Sequence, residues 1–367
     1  MILHFLGDST YSNKFVEYVN SNFTSQEHKF VFISSTELKY INQKDNVLIY
    51  KSNSIINSIK IIKGLLKEYK PGKIFLHFLS DLNLFPVLLA SKKTLLYWIV
   101  WGGDIYSYVD WKLYDEETEK IIGHTSNKKN WKRKVLTNLR KTSIKKLDYI
   151  GINETEFSII KKYFKTNAKR VNFNYPNPTQ TTAQDAQVIT TEKNKTSKVI
   201  LLGNSGDPTN NHITILKKLK NLNCDYKVIV PLSYGSNTEY IDAVKKYGTE
   251  LLGGHFVPLL DFMSPDEYSK LLATVDVGIM NHYRQQAVGN LRILLSQGKK
   301  VYLNEINPLY HYYTDEGMQL SKIEDCKFDD SLFEEYSDKV KAQNKKAVEE
   351  LYSQDKIYDY MKELFND

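Results

Sequence analysis

The apolar residues of this chain fall in short runs that alternate with stretches of helical period, and they do so twice, on either side of one polar interval. In the first half the runs are "MILHFL", "KFVFIS", "NVLIYK", "KIFLHFL", "LLYWIVWG" and "LDYIGIN", with amphipathic stretches such as residues 54–69 between them. Continuous apolar runs of strand length alternating with helices imply a parallel sheet covered on both faces. The pattern stops at residues 176–197, "PNPTQTTAQDAQVITTEKNKTS", which hold hardly any large apolar side chain. It resumes with "SKVILLGNSG", "DYKVIVPLSY", "LLGGHFVPL", "VDVGIMNH" and "KKVYLNEIN", separated by helices expected near 211–222, 237–247, 265–274 and 287–297. Residues 331–364 are charged and helical in period.

At 367 residues the chain is too long for one ordinary core. The expected organisation is an N-terminal Rossmann-like domain over 1–175, a linker over 176–197, a second Rossmann-like domain over 198–330, and a helical segment over 331–367 that packs back on the first domain. Two doubly wound α/β domains facing a cleft bind ligands at the carboxyl ends of their strands.

Charge is divided unevenly. Residues 1–175 hold 28 Lys and Arg against 16 Asp and Glu, whereas the remainder holds 22 against 27. Most of the excess lies in "HTSNKKNWKRKVLTNLRKTSIKK", residues 124–146, with nine basic residues and no acid. As a helix this segment places Trp131, Val135 and Leu139 in one apolar stripe beside Leu136, bordered by Lys132 and Arg133. Such a helix suits an anionic membrane surface, or packs its stripe on its own domain. Nucleic acid is not expected, since no recognised motif accompanies the charge. The start of the chain suggests a strand rather than a signal peptide, so a cytoplasmic location is expected. Cys224 and Cys326, the two cysteines present, exclude a disulfide framework and a cysteine zinc site.

Three stretches carry candidate chemistry. "VILLGNSGDPTNNH" is a buried strand running into a turn built from Gly203, Asn204, Ser205, Gly206 and Asp207, then a helix that Asn210 or Asn211 is able to cap. Successive N–H groups of such a turn converge on anions near a helix start, although α/β proteins also use it simply to turn corners. "DVGIMNHYRQQAVGNL" ends a strand near Asn281 and continues through Arg284, Gln285 and Gln286 to Gly289, where a helix begins. There the guanidinium fork of Arg284 matches phosphate geometry. "YWIVWGGDIYSY" runs a strand with Trp98 and Trp101 into Gly102, Gly103, Asp104 and Tyr106. It suggests a sugar or lipid platform with a carboxylate at its rim, or aromatic core packing with Asp104 as a helix cap.

Together these stretches resemble the bacterial dTDP-N-acetylfucosamine:lipid II N-acetylfucosaminyltransferases of enterobacterial common antigen synthesis. The matching features are "H-x-L-G" at 4–7, "W-x-x-W-G-x-D-I-Y" from Trp98 to Tyr106, "GNSGD" followed by Asn210 and His212, Pro231 and Tyr234 after a strand, and "R-Q-Q-x-x-G-x-L" from Arg284 to Leu291. The match runs in the same order over roughly residues 1–310 and departs at Asp8, which looks shifted by one residue. It implies a GT-B fold and transfer of 4-acetamido-4,6-dideoxygalactose from a dTDP-sugar to an undecaprenyl-linked saccharide, peripherally at the cytoplasmic side of the inner membrane.

On that resemblance Arg284, the backbone of Gly203 to Gly206 and the helix near Asn211 would hold the leaving dTDP. Asp207, Asn210, His212, Tyr234, Gln285, Gln286 and Gly289 would complete the donor site. Trp98, Trp101, Gly102 and Tyr106 would face the acceptor. Asp8, His77 and Asp104 are candidate bases, Asp8 first. The basic helix has no close counterpart in that family, and its own charge and apolar stripe are what would bring Trp131, Lys132, Arg133 and Leu139 to the membrane. No D-x-D motif lies at a strand end, so metal-free chemistry is expected, with no cofactor. A sugar-nucleotide 2-epimerase of the same fold and a non-catalytic membrane-docking protein are the alternatives.

Overall fold

The computed structural model describes residues 1–123, 131–176, 197–235 and 237–366, apart from the side chains of 131–134. The chain divides into two compact units, one of Met1–Asp110, Asn127–Pro178 and Tyr352–Asp367, the other of Trp111–Ser126 and Thr179–Leu351. This differs in two places from a split into 1–175, 198–330 and a tail. Trp111–Ser126 belongs to the second unit, and the tail is shared between both. Most of the interval 176–197 lies outside the described residues.

In the first unit β1 (Ile2–Phe5), β2 (His28–Ser34), β3 (Val47–Lys51), β4 (Lys73–His77), β5 (Leu95–Ile99), β6 (Tyr149–Gly151) and β7 (Lys169–Val171) form one sheet in the order β3-β2-β1-β4-β5-β6-β7. Every pairing is parallel. The order reverses between β1 and β4, which opens a crevice at their carboxyl ends. The helix Thr10–Asn22 starts at Ser9, whose hydroxyl accepts from Ser12 N at 3.0 Å, and buries Phe15, Val16 and Val19. The last helix, Gln354–Asn366, adds Ile357, Met361, Leu364 and Phe365 to the same core. Lys73 Nζ donates to the carbonyls of Leu364 and Phe365 at 2.9 and 3.1 Å, satisfying groups that a helix end leaves open.

In the second unit β8 (Lys198–Leu202), β9 (Tyr226–Pro231), β10 (Phe256–Leu259), β11 (Val277–Met280), β12 (Lys300–Leu303) and β13 (Ser321–Lys322) run parallel in the order β10-β9-β8-β11-β12-β13. Here the reversal lies between β8 and β11. Asp115 and Glu117, in the stretch before residue 124, are tied to this unit by polar contacts. Asp115 caps the helix Glu116–Ile122 by accepting from Thr118 N at 2.9 Å, and its own N–H donates to Asn211 Oδ1 at 2.9 Å. Lys217 pairs with Glu117 at 2.7 Å.

Candidate functional site

The turn after β8 is closed from beneath. Gly203 has φ +71°, and a Cβ there would stand 2.6 Å from His212 Nε2 and 2.7 Å from Asn210 Oδ1, so the position excludes any side chain. Its N–H groups are largely used within the protein. Gly203 N donates to Ile279 O at 3.0 Å, Asn204 N to Asn210 Oδ1 at 2.9 Å, and Gly206 N to Tyr234 O at 2.6 Å. The convergent anion nest expected of this turn is therefore not formed.

The next helix, His212–Leu219, is closed as well. Asn211 precedes it at φ 50° without capping it, and its side-chain amide donates instead to the carbonyls of Leu113, Thr209 and Asn281. His212 N donates to the Tyr240 hydroxyl at 2.9 Å, and both His212 and Ile213 are fully buried. Asn210, also buried, joins the turn to the neighbouring strand end: its Oδ1 accepts from His282 Nε2 at 2.7 Å, and its amide donates to Ser205 Oγ at 3.1 Å. His212 and His282 are thus structural. Burial lowers the pKa of His212 to about 3, and burial with the nearby Arg284 holds His282 well below its usual range, so both are neutral imidazoles.

The open groups lie beyond β11. The helix Val288–Ser296 begins after Ala287, which holds φ 61° and gives no side-chain cap. A non-glycine residue in that region costs energy and is characteristic of functional turns. Val288, Gly289 and Asn290 are half-exposed, so this helix start, unlike the previous one, is accessible. Arg284 lies beside it in sequence, half-exposed, with NH1 donating to Gln285 O at 3.0 Å and NH2 to Thr209 Oγ1 at 3.3 Å. Thr209 is a hub that sequence reasoning missed. Its hydroxyl lies 2.5 Å from Asp207 Oδ1 and 2.7 Å from Gln286 Oε1, and a single proton serves one of them at a time. Gln286 Nε2 donates to Asn204 Oδ1 at 2.9 Å, extending a branched polar network of Asn204, Asp207, Thr209, Arg284 and Gln286 beyond the carboxyl ends of β8 and β11. Tyr234 is 75% exposed and stands apart from this network.

In the first unit the expected platform separates into core and rim. Trp98 is fully buried, and its indole donates to Asp104 Oδ2 at 2.7 Å. Asp104, also fully buried, accepts further from Leu79 N at 2.8 Å and Trp101 N at 3.0 Å. Burial pushes its carboxyl up, opposed by those hydrogen bonds. A carboxylate filled by three donors and shut from solvent suits a staple of the loop after β5, and this corrects its expected place as a base. Gly102 is buried, with φ +83° at the start of the same loop. Tyr106 is buried too, donating to Glu156 Oε1 at 2.7 Å.

The rim is aromatic. Trp101 and Tyr175 are half-buried, their ring centroids are 4.8 Å apart, and Tyr11 meets Trp101 edge-on at 5.6 Å. The Tyr175 hydroxyl accepts from Trp101 Nε1 at 3.0 Å and contacts His77 Nδ1 at 2.5 Å. His77 is therefore covered by Tyr175. Burial lowers its pKa to about 3. Asp8 is half-buried and accepts from Lys39 N at 2.6 Å and Tyr40 N at 3.0 Å.

The basic segment forms the helix Trp131–Lys146. The side chains of Trp131, Lys132 and Arg133 lie outside the described residues. Val135 is 47% exposed, and Leu136 and Leu139 are half-buried. The helix is anchored by Arg140, which is 1% exposed, donates to Leu79 O, pairs with Asp81 at 3.0 Å and stacks 3.6 Å from the Tyr108 ring centroid. No described helix is long and apolar enough to cross a membrane.

Two parallel sheets in Rossmann order, each with polar or aromatic groups at its switch point, form the GT-B fold. The chain belongs to the 4-alpha-L-fucosyltransferase glycosyl transferase group 56 family, whose model matches residues 122–354. Among solved structures it resembles sucrose-phosphate synthase from Thermosynechococcus elongatus at 9% identity and TM-score 0.71, covering 100% of this chain and 98% of that one. A glycosyltransferase from Rickettsia africae matches at 12% identity and TM-score 0.63, with 100% and 99% covered. WaaG, a glycosyltransferase involved in lipopolysaccharide biosynthesis, matches at 10% identity and TM-score 0.55, with 100% and 95% covered. At these identities the likeness establishes the fold.

Proposed function

We propose that this glycosyltransferase moves 4-acetamido-4,6-dideoxy-D-galactose, or a related deoxy-amino sugar, from a dTDP donor to an undecaprenyl-diphosphate-linked oligosaccharide in bacterial surface polysaccharide synthesis. The enzyme acts peripherally at the cytoplasmic face of the inner membrane. Family membership and the motif resemblance support the sugar and acceptor classes. The observation that carries the donor site is the accessible, uncapped start of Val288–Ser296 next to Arg284 at a sheet switch point. A diphosphate there meets first-turn N–H groups, the positive helix end and a guanidinium.

As the bond from the sugar C1 to the diphosphate breaks, charge grows on the leaving oxygens. Arg284 and the Val288–Asn290 backbone stabilise it, each good donor contributing about 3 kcal/mol. Thr209 and Gln286 orient the guanidinium and the turn. Asn204, Asp207 and Gln285 line the nucleotide side, and Tyr234 offers an exposed ring for the base. Gly203, Ser205, Gly206, Asn210 and His212 shape the turn from behind. Trp101, with Tyr11 and Tyr175, receives the acceptor sugar. The reading assigns no metal ion.

Arg284→Ala tests it. The variant should keep the wild-type melting temperature, lose the stabilisation by dTDP that a ligand at 100 times its Kd provides (~2.7 kcal/mol), and fall roughly 100-fold in kcat. An unchanged dTDP response removes Arg284 from the site.

A further inference from the structure

Behind the Tyr175 hydroxyl runs an unbroken line of buried imidazoles. His77 Nδ1 meets Tyr175 Oη at 2.5 Å, His77 Nε2 meets His4 Nδ1 at 3.1 Å, and His4 Nε2 meets His28 Nδ1 at 2.9 Å. The three residues are 3%, 0% and 4% exposed. His4 sits on β1 between β2 and β4, closed in by Phe15, Phe30, Phe75 and Phe365 at ring distances of 5.0–5.7 Å. The line therefore crosses the sheet from the carboxyl end of β4 to the amino end of β2.

Donor and acceptor bookkeeping allows two arrangements. Trp101 Nε1 only donates, so Tyr175 Oη accepts from it. If Tyr175 then donates to His77, every imidazole carries its proton on Nε2 and passes it to the next ring. If the line points outward, every imidazole carries its proton on Nδ1, and the Tyr175 proton is released toward the rim. His28 Nε2 is buried without a partner in either case, as an unused N–H or an unused lone pair. The two arrangements thus leave the same atom orphaned. One proton hop per link, starting from the inward arrangement and with no ring turning in a packed core, moves a proton from Tyr175 to His28 and leaves His28 doubly protonated.

We propose that this line is a proton store for glycosyl transfer, in which Tyr175 takes the proton of the acceptor hydroxyl and the imidazoles carry the excess to His28. The inference rests on the glycosyltransferase reading above. The acceptor oxygen forms a bond to the sugar C1, and the bond from C1 to the diphosphate breaks with its electron pair leaving on the nucleotide. The acceptor proton goes to Tyr175 Oη and the Tyr175 proton to His77 Nδ1. The His77 Nε2 proton goes to His4 Nδ1, and the His4 Nε2 proton to His28 Nδ1, leaving His28 as an imidazolium. After the product leaves, the reverse hops return one proton through Tyr175 to water. Burial and the chain's own amino group oppose a lasting charge on His28, which favours that return. Tyr175 is the catalytic residue, and the three histidines are positioning residues.

The test combines spectroscopy and kinetics on the full chain. Long-range ¹⁵N NMR of the free protein at neutral pH should find His4, His28 and His77 neutral and in one shared tautomer. Mixed tautomers, or a standing imidazolium, break the line and overturn the proposal. Tyr175→Phe, which keeps the ring against Phe15 and Phe173, should lower kcat about 100-fold or more with the donor KM unchanged. His28→Gln retains a donor and an acceptor but holds no extra proton, and should lower kcat at least tenfold where it is folded. Wild-type kcat in either variant overturns the proposal. If His28→Gln does not fold, the tautomer result and Tyr175→Phe decide. A wild-type protein that transfers no sugar, yet shows the shared tautomer, would overturn the transferase reading and leave the hydrogen-bonded line intact.

Discussion

Asp104 shows how far a residue's chemical type can mislead. A carboxylate after a glycine pair at a strand end looks like a base, yet its oxygens hold Leu79 N, Trp98 Nε1 and Trp101 N. Asp104→Ala leaves three buried donors unmatched, each costing about 1–3 kcal/mol. Urea unfolding should show a loss of roughly 3 kcal/mol or more, and wild-type stability with collapsed kcat would restore Asp104 as the base. The turn at Gly203 and the polar segment at Arg284 were legible as positions, because a strand running into a helix leaves its mark in the sequence. The contacts of Thr209 were not, since its partners Gln286 and Arg284 arrive from the turn after β11, 77 and 75 residues away. Nor was the line through His4, His28 and His77. Each lies in or beside an apolar run, where a lone histidine resembles any other core residue, and only the order β2-β1-β4 brings the rings together.

At the level of elements, the long buried strands declared themselves and the short edge strands did not. β7 and β13 have three and two residues, "KRV" and "SK", too few to show any pattern. The two C-terminal helices share a charged composition but join different units. Gln354–Asn366 presents Ile357, Met361, Leu364 and Phe365 on one face, enough to enter the first core, whereas Asp338–Leu351 buries Asn344, Val348 and Leu351 in the second unit. Trp131–Lys146 is the element whose role is least fixed by its own packing. Arg140, Ser143 and Ile144 root its second half, while Val135 is exposed among basic neighbours. If it docks on the bilayer, the protein should sediment with vesicles rich in anionic lipid at low salt and release as salt rises, each basic residue near the surface contributing ~1 kcal/mol. Trp131→Ser with Leu139→Ser should weaken that binding. Equal sedimentation of the double variant would make the helix a purely structural element.

At the scale of the molecule, five histidines among the described residues are buried as neutral rings, and this couples stability to pH. The pKa of His28 is lowered to about 4, those of His77 and His212 to about 3, and those of His4 and His282 well below the usual value. Folded values below unfolded ones mean that the unfolded chain binds protons first as pH falls. The stabilising contribution is therefore present above about 6.5 and is lost from there down toward 4 and 3. At pH 5 each of His28, His77 and His212 should cost roughly 2 kcal/mol relative to pH 7.5. Thermal scans should show the midpoint dropping steeply below pH 6, and a flat profile from 7.5 to 5 would contradict the buried neutral assignment.

The two-domain glycosyltransferase fold was legible because the alternation of strand and helix occurs twice. The division of residues between the units was legible in part: the return of the C-terminal segment to the first unit was expected over 331–367 and holds for Tyr352–Asp367, whereas Trp111–Ser126 is assigned by tertiary contacts that leave no periodic trace. The central claim concerns what the fold does. The most direct measurement incubates the protein, in excess EDTA, with radiolabelled dTDP-4-acetamido-4,6-dideoxygalactose and an undecaprenyl-diphosphate-linked disaccharide, and follows label into the lipid fraction. Wild type should transfer label only when acceptor is present, and Arg284→Ala should do so about 100-fold more slowly. Label that never leaves the nucleotide, or a donor sugar epimerised at C2 without any acceptor, would contradict the account.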